Sequence, residues 1–148
     1  DLGEAVARAL DAFRYRGEQE GVDIQLEAPE QLPPVLIDQE AIALAVINLL
    51  DNAVKYGGQT PVELELNRRR SVIDIAVRDH GPGIPPESLR LVFDRFYRGP
   101  HTGPTRGSGI GLSLVKHIAQ AHGGRAWAKN AAGGGAIVGF WIPVAAGH

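Results

Sequence analysis

"INLLDNAVKYG", Ile47 to Gly57, is the stretch on which the reading of this chain turns. Leu49, Leu50, Ala53 and Val54 recur at the spacing of a helix with one buried face, and Ile42 and Val46 extend that face upstream. Asn48, Asn52 and Lys55 fall four and three residues apart, which puts them within about 60° of one another on the other side. A solvated face would ordinarily carry Glu, Lys and Arg in opposite-charge pairs. Here it carries two neutral amides and one ammonium. Two readings stand for this helix alone: an ordinary amphipathic helix, or amide oxygens suited to Mg²⁺ beside a lysine that neutralises phosphate.

Asp38 is placed to cap this helix, and Gly57-Gly58 ends it. Upstream, Leu2, Val6, Ala9, Leu10 and Phe13 predict a helix to about Glu20, closed by Gly21. "VDIQLEA" alternates as a strand and "PEQLPP" is a loop. Downstream, "PVELELN" and "SVIDIAVRD" alternate as two strands, with "NRRRS" as the hairpin connection. A third helix, "IGLSLVKHIAQAHGG", is expected from near Ser108 to Gly123-Gly124. "RAWAKN" and "GAIVGFWIPV" are two closing strands around a glycine turn. This order predicts an α+β fold: a two-layer sandwich with a mixed sheet of about five strands packed on about three helices. There are no repeats and no internal boundary, so residues 1–148 read as one domain.

The bulk numbers bound the function. At 148 residues, 44% hydrophobic and 22% charged, the chain can bury a core without staples. Its net charge of -2 gives no sign of nucleic acid, and the one basic run, Arg68 to Arg70, reads as a solvated turn. Absence of cysteine excludes disulfides, thiolate metal sites and a cysteine nucleophile. No apolar run approaches the roughly 18 residues of a membrane span. The chain begins without methionine, so we expect a piece of a longer protein.

The remaining signal is a glycine-rich interval. From His80 to Gly109 there are six glycines and five prolines around one apolar patch, "LRLVFDRF". A connection this long in a compact domain is usually functional or disordered. "DHGPGIP", Asp79 to Pro85, sets a carboxylate at a strand end before Gly81 and Gly83. That is either a common Asp-Gly turn or an acceptor for an exocyclic amine such as adenine's, with glycines allowing close backbone approach. In "RGSGIGLSL", Gly107, Gly109 and Gly111 precede and open a helix, either as a flexible turn or as a polyphosphate site at a helix N-terminus. Leu112 rules out the dinucleotide fingerprint, and no G-K-[ST] makes a Walker loop. Together the three motifs supply an adenine acceptor, a metal and phosphate face, and a phosphate-binding loop.

In these motifs the chain resembles the catalytic ATP-binding domain of bacterial two-component sensor histidine kinases, in the GHKL superfamily. "NLLDNAVKYG" is similar to its N box, "DHGPGIP" to the G1 box, "VFDRFYRG" to the F box and "GSGIGLSL" to the G2 box. "HGGRAW" and "FWIP" fit as well, so the likeness covers essentially the whole chain. It implies ATP and Mg²⁺ as cofactors. Asn52 is then the Mg²⁺ ligand, Asn48 supports the phosphate region, Lys55 contacts phosphate and Tyr56 lies along the nucleotide. Asp79 takes the adenine amino group, with Gly81, Gly83 and Ile84 beside the base. Phe93 and Phe96 anchor the loop, and Arg98 reaches the γ-phosphate. Gly107, Gly109, Ile110, Gly111 and Leu112 wrap the phosphates. Residues from about 84 to 108 become the ATP lid, which closes over nucleotide.

His80 departs from the family's asparagine or threonine; it either touches nucleotide or faces solvent, and solvent is expected. Related hydrolases carry a glutamate where this chain has Asn48. An amide cannot serve as a general base at neutral pH, so transfer of phosphate is favoured over ATP hydrolysis. None of His80, His101, His117, His122 or His148 precedes an acidic residue as an acceptor histidine does. His117 and His122 are expected to be surface or capping residues. The acceptor is expected on an upstream dimerisation domain of the same protein, absent here, with a response regulator downstream. No nucleic-acid or membrane contact is expected of this domain, which should be monomeric and cytoplasmic under a parent able to anchor in the inner membrane. The rival readings are a non-catalytic nucleotide-sensing or docking module and a superfamily ATPase.

Overall fold

The structure is a computed structural model that describes residues 1–57, 60–89, 91–94 and 111–145, with backbone alone at Arg16, Gly17, Glu20 and Tyr56. Helix α1 (Leu2–Glu20) buries Leu2, Val6, Ala9 and Phe13 and stops at Gly21. Strand β1 (Ile24–Glu27) follows, and then helix α2 (Gln39–Tyr56). Asp38 caps α2 as its sequence position predicts, its carboxylate accepting the N–H groups of Glu40 and Ala41. Such a cap is worth about 1 kcal/mol. Strands β2 (Val62–Arg69) and β3 (Val72–Arg78) form the hairpin, helix α3 (Gly111–Ala121) comes next, and β4 (Arg125–Asn130) and β5 (Ala136–Pro143) close the chain.

The five strands make one mixed sheet in the order β1-β2-β3-β5-β4. Only β1 and β2 are parallel, with Ile24 opposite Val62. Parallel neighbours need a crossover of a dozen or more residues, and α2 supplies it. The other pairs are antiparallel. Alternation sends Val62, Leu64 and Leu66 of β2, Ile73, Ile75 and Val77 of β3, and Val138, Phe140 and Ile142 of β5 into the core. Ile42, Val46, Leu49, Leu50 and Ala53 of α2 meet them from the helical layer. Each such large apolar side chain gains roughly 1.5–3 kcal/mol from leaving water. The α1 helix packs on α2, which lies over β2 and β3, while α3 lies over β4 and β5.

Two boundaries differ from the sequence reading. β1 starts at Ile24 rather than Val22, because Val22 is buried ahead of the strand and the Asp23 carbonyl already accepts Val62 N–H. The arginine run is solvent-exposed, as expected, but only Arg70 of it lies in the turn. Arg68 and Arg69 belong to β2, the turn is Arg70-Ser71 with Arg70 at φ 52°, and Arg69 pairs with Asp74 across the hairpin. That pairing raises the Arg69 pKa, first through its hydrogen bond to Asp74. The α3 helix is described from Gly111, and its expected start near Ser108 lies outside the described residues.

Candidate functional site

The C-terminal half of α2 is where the separate motifs meet. Asn48 donates from Nδ2 to the Leu44 carbonyl at 2.9 Å, which turns Oδ1 away from its own helix. A Cβ on Gly111 would stand 3.0 Å from that Oδ1, so the first residue of α3 packs against the amide. Asn52, one turn on, is half-buried, and its side chain makes no hydrogen bond among the described residues. Lys55 Nζ lies 3.6 Å from Asp51, with side-chain exposures of 16% and 25%. That i, i+4 pair is legible in the sequence and tempers the expectation of a lysine given wholly to phosphate.

The strand-end carboxylate is tied down at one oxygen. Asp79 is buried, and its Oδ1 accepts Gly81 N–H at 2.9 Å and Ala136 N–H at 3.2 Å. Oδ2 has no hydrogen-bond partner among the described residues and can accept from an amine. The Asp79 N–H donates to the Ala136 carbonyl at 3.0 Å, so β5 holds this residue by backbone and side chain alike. Gly57, the α2 C-cap, packs on the Asp79 side chain: a Cβ there would lie 3.0 Å from Asp79 Cβ. A Cβ on Gly81 would lie 2.7 Å from the Gly57 carbonyl oxygen. The glycines of the N and G1 motifs thus let two backbones touch.

Sequence reading missed three supports of this loop. Thr60 Oγ1 donates to the Gly57 carbonyl at 2.8 Å and accepts His80 N–H at 3.0 Å, joining the helix end to the strand end. Asn130, the last residue of β4, bonds both polar backbone groups of Ile84. Gly135 abuts the Asp79 carbonyl. Only the Gly133–Gly135 run marks the last of these in the sequence, as a turn.

Other expected residues fall as follows. His80 is exposed, as expected, and its Nε2 lies 3.0 Å from Glu63 Oε1. Ile84, Phe93 and Leu112 are half-buried against the core, and Val92 beside Phe93 is buried. His117 is exposed. His122 is a capping residue, with Nδ1 2.8 Å from the Ile118 carbonyl and Nε2 accepting Asp38 N–H at 3.0 Å. Phe96, Arg98, Gly107, Gly109, Ile110 and the Tyr56 side chain lie outside the described residues, as do His101 and His148.

The chemistry of the donors fits a magnesium nucleotide. Among the described residues no group of three or more His, Cys, Asp or Glu could hold a metal by itself. Asn52 offers one hard neutral oxygen, and Mg²⁺ is commonly held by few protein groups plus substrate phosphates and water. On the open face of the sheet, Glu65 lies beside Glu27 in register and two residues from Glu63. Partial burial raises its pKa, and repulsion from Glu27 and Glu63 adds to the rise. No described helix is long and apolar enough to cross a membrane.

Comparison with known proteins gives a consistent set. Residues 37–146 match the family model described as histidine kinase-, DNA gyrase B-, and HSP90-like ATPase. The sensor histidine kinase WalK of Bacillus subtilis is 36% identical over 139 residues, covering 90% of this chain and 23% of that protein. The chain spans about a quarter to a third of the length of the curated relatives it matches. Among solved structures, the mycobacterial sensor histidine kinase MprB superposes with a TM-score of 0.85 at 30% identity, covering 97% of this chain and 96% of that one. The ATP-binding domain of PrrB from Mycobacterium tuberculosis gives 0.77 at 33%, covering 99% and 96%. Histidine kinase ThkA, solved in complex with the response regulator TrrA, gives 0.81 at 25%, covering 98% and 41%.

Proposed function

The chain belongs to the histidine kinase-, DNA gyrase B- and HSP90-like ATPase family, as the ATP-binding catalytic domain of a sensor histidine kinase, and from that premise we propose that it binds Mg²⁺-ATP and passes the γ-phosphate to a histidine on a separate dimerisation domain of the same protein. The observation that carries this reading is the convergence at α2: Asn48 Oδ1 against Gly111, and Gly57 against Asp79.

Asp79 takes the adenine amino group on Oδ2, while its other oxygen stays bonded to the backbone of Gly81 and Ala136. Gly81, Gly83 and Ile84 line the base, and Tyr56 and Phe96 flank the nucleotide. Asn52 holds the metal, which when bound neutralises phosphate charge. Lys55 shares its charge between Asp51 and phosphate. The N-terminal end of α3, with Gly111 and Leu112, presents backbone N–H groups to the phosphates, Gly107, Gly109 and Ile110 bind them as well, and Arg98 adds a cation at the γ-phosphate. Catalysis of this kind is positioning plus charge stabilisation. Asn48 bears an amide, so the site has no general base at that position to activate water. That favours a histidine acceptor over hydrolysis.

Residues 1–148 act as one domain on this reading, with a lid from about 84 to 108. A response regulator receives the phosphate next, as the ThkA–TrrA complex supports. The domain works in the cytoplasm as a monomer. Mixing it with a sensor-kinase dimerisation domain and γ-labelled ATP tests the proposal. Acid-labile phosphohistidine is expected, and Asn52→Ala should remove the Mg²⁺-dependent part of ATP affinity. ATP binding without transfer would point to a docking module. Phosphate release without an acceptor would point to an ATPase.

A further inference from the structure

Asn130 ends the edge strand β4, 46 residues along the chain from Ile84, yet its amide meets the Ile84 backbone at both polar groups. Oδ1 accepts Ile84 N–H at 2.7 Å, and Nδ2 donates to the Ile84 carbonyl at 2.8 Å. Two bonds to one residue fix its position and its rotation, as a neighbouring strand would. Gly83 stands at φ 83°, and a Cβ there would lie 2.8 Å from Asn130 Oδ1. The close approach therefore needs glycine at 83.

The other end of this segment is held by the same hairpin. Ala136, the first residue of β5, takes Asp79 by backbone and carboxylate. Between them, Ala131 N–H closes the turn onto the Gly135 carbonyl at 2.9 Å, and Arg78 Nη2 donates to the Ala132 carbonyl at 3.2 Å. The β4–β5 hairpin thus grips residues 79–84 at both ends, with Gly81 and Gly83 between the grips.

We propose that Asn130 is a positioning residue for adenine recognition. By holding Ile84 it sets the path of Gly81 to Ile84 beside the Asp79 carboxylate. It acts through that backbone and does not touch the nucleotide. The proposal rests on the reading of Asp79 as the adenine acceptor.

The test compares Asn130→Ala and Asn130→Asp with the unaltered chain, using calorimetry with Mg²⁺-ATP and Mg²⁺-GTP, thermal melts and amide exchange at Ile84. Asn130→Ala should weaken ATP by about threefold to tenfold, the worth of one or two modest hydrogen bonds. GTP should weaken less, so the preference for adenine narrows. Asn130→Asp keeps the acceptor for Ile84 N–H but sets a carboxylate oxygen against the Ile84 carbonyl, so it should weaken ATP at least as much as alanine does, and it carries the comparison if the alanine variant does not fold. Faster exchange at Ile84 with unchanged ATP and GTP affinities would overturn the proposal. So would an equal loss for both nucleotides that tracks the melting temperature, since that marks a structural role alone. An unaltered chain that binds no adenine nucleotide would remove the reading beneath the proposal, a distinguishable failure.

Discussion

The carbonyl oxygen of Asp79 fills the space that a side chain on Gly135 would need. Gly135 also sits at φ 86°, a conformation that L-residues with a Cβ rarely adopt. Gly133 has nearly the same φ, 87°, but open space around it. The two glycines therefore separate strain from contact. Gly133→Ala should cost roughly 1–3 kcal/mol of stability from strain alone and leave ATP affinity intact. Gly135→Ala should cost more, because the same strain is joined by overlap with a backbone that has little room to move. It should also weaken ATP, since the displaced residue is Asp79. Urea melts and calorimetry on both variants check this. Equal effects of the two substitutions would show that the Asp79 contact does not matter.

Thr60 supplies one hydroxyl to two backbones, donating to the Gly57 carbonyl and accepting His80 N–H. Thr60→Val keeps the shape and leaves both groups without their partner. A buried polar group left unmade costs about 1–3 kcal/mol, and Thr60 is half-buried, so the lower half of that range is expected. Thr60→Ser should recover most of it. The same variants should loosen ATP, because Gly57 and His80 flank Asp79. Equal urea midpoints for Thr60→Val and the unaltered chain would exclude the bridge as a support.

Much of this was readable from local pattern. The period of α2, the alternation of β2 and β3, the Asp38 cap and the glycine punctuation each follow from residues within a few positions of one another. The supports of the candidate site do not. Asn130 meets Ile84, and Ala136 meets Asp79, only once β5 has taken its place between β3 and β4. A polar residue at a strand end has many possible partners until the register is set. His80 shows the same limit: its ring is turned to Glu63 by the β2–β3 register, where Glu63 lies opposite Arg78, two residues before it. The Asp51–Lys55 pair is a different case. Its spacing is local and legible, but amides and a lysine on one face drew the reading toward phosphate and away from the neighbouring carboxylate.

Glu65 gives the pH dependence. Its pKa is raised above 4.5 by partial burial first, then by Glu27 and Glu63, with Arg78 and Lys129 pulling the other way. The folded chain therefore holds this proton more tightly than the unfolded chain. Stability falls with pH wherever the folded state binds more protons. The loss begins near the unfolded value of 4.5 and is complete above the raised folded value. Replacing the carboxylate by an amide removes a charge that the fold disfavours. Glu65→Gln should thus be more stable than the unaltered chain at pH 7, and the gap should close as pH falls to 4.5 and below. Paired urea titrations across that range isolate the one residue, because every other carboxylate is common to both proteins. A gap that stays constant with pH, or that widens in acid, would mean that the ionised Glu65 is not the unfavourable form in the folded chain.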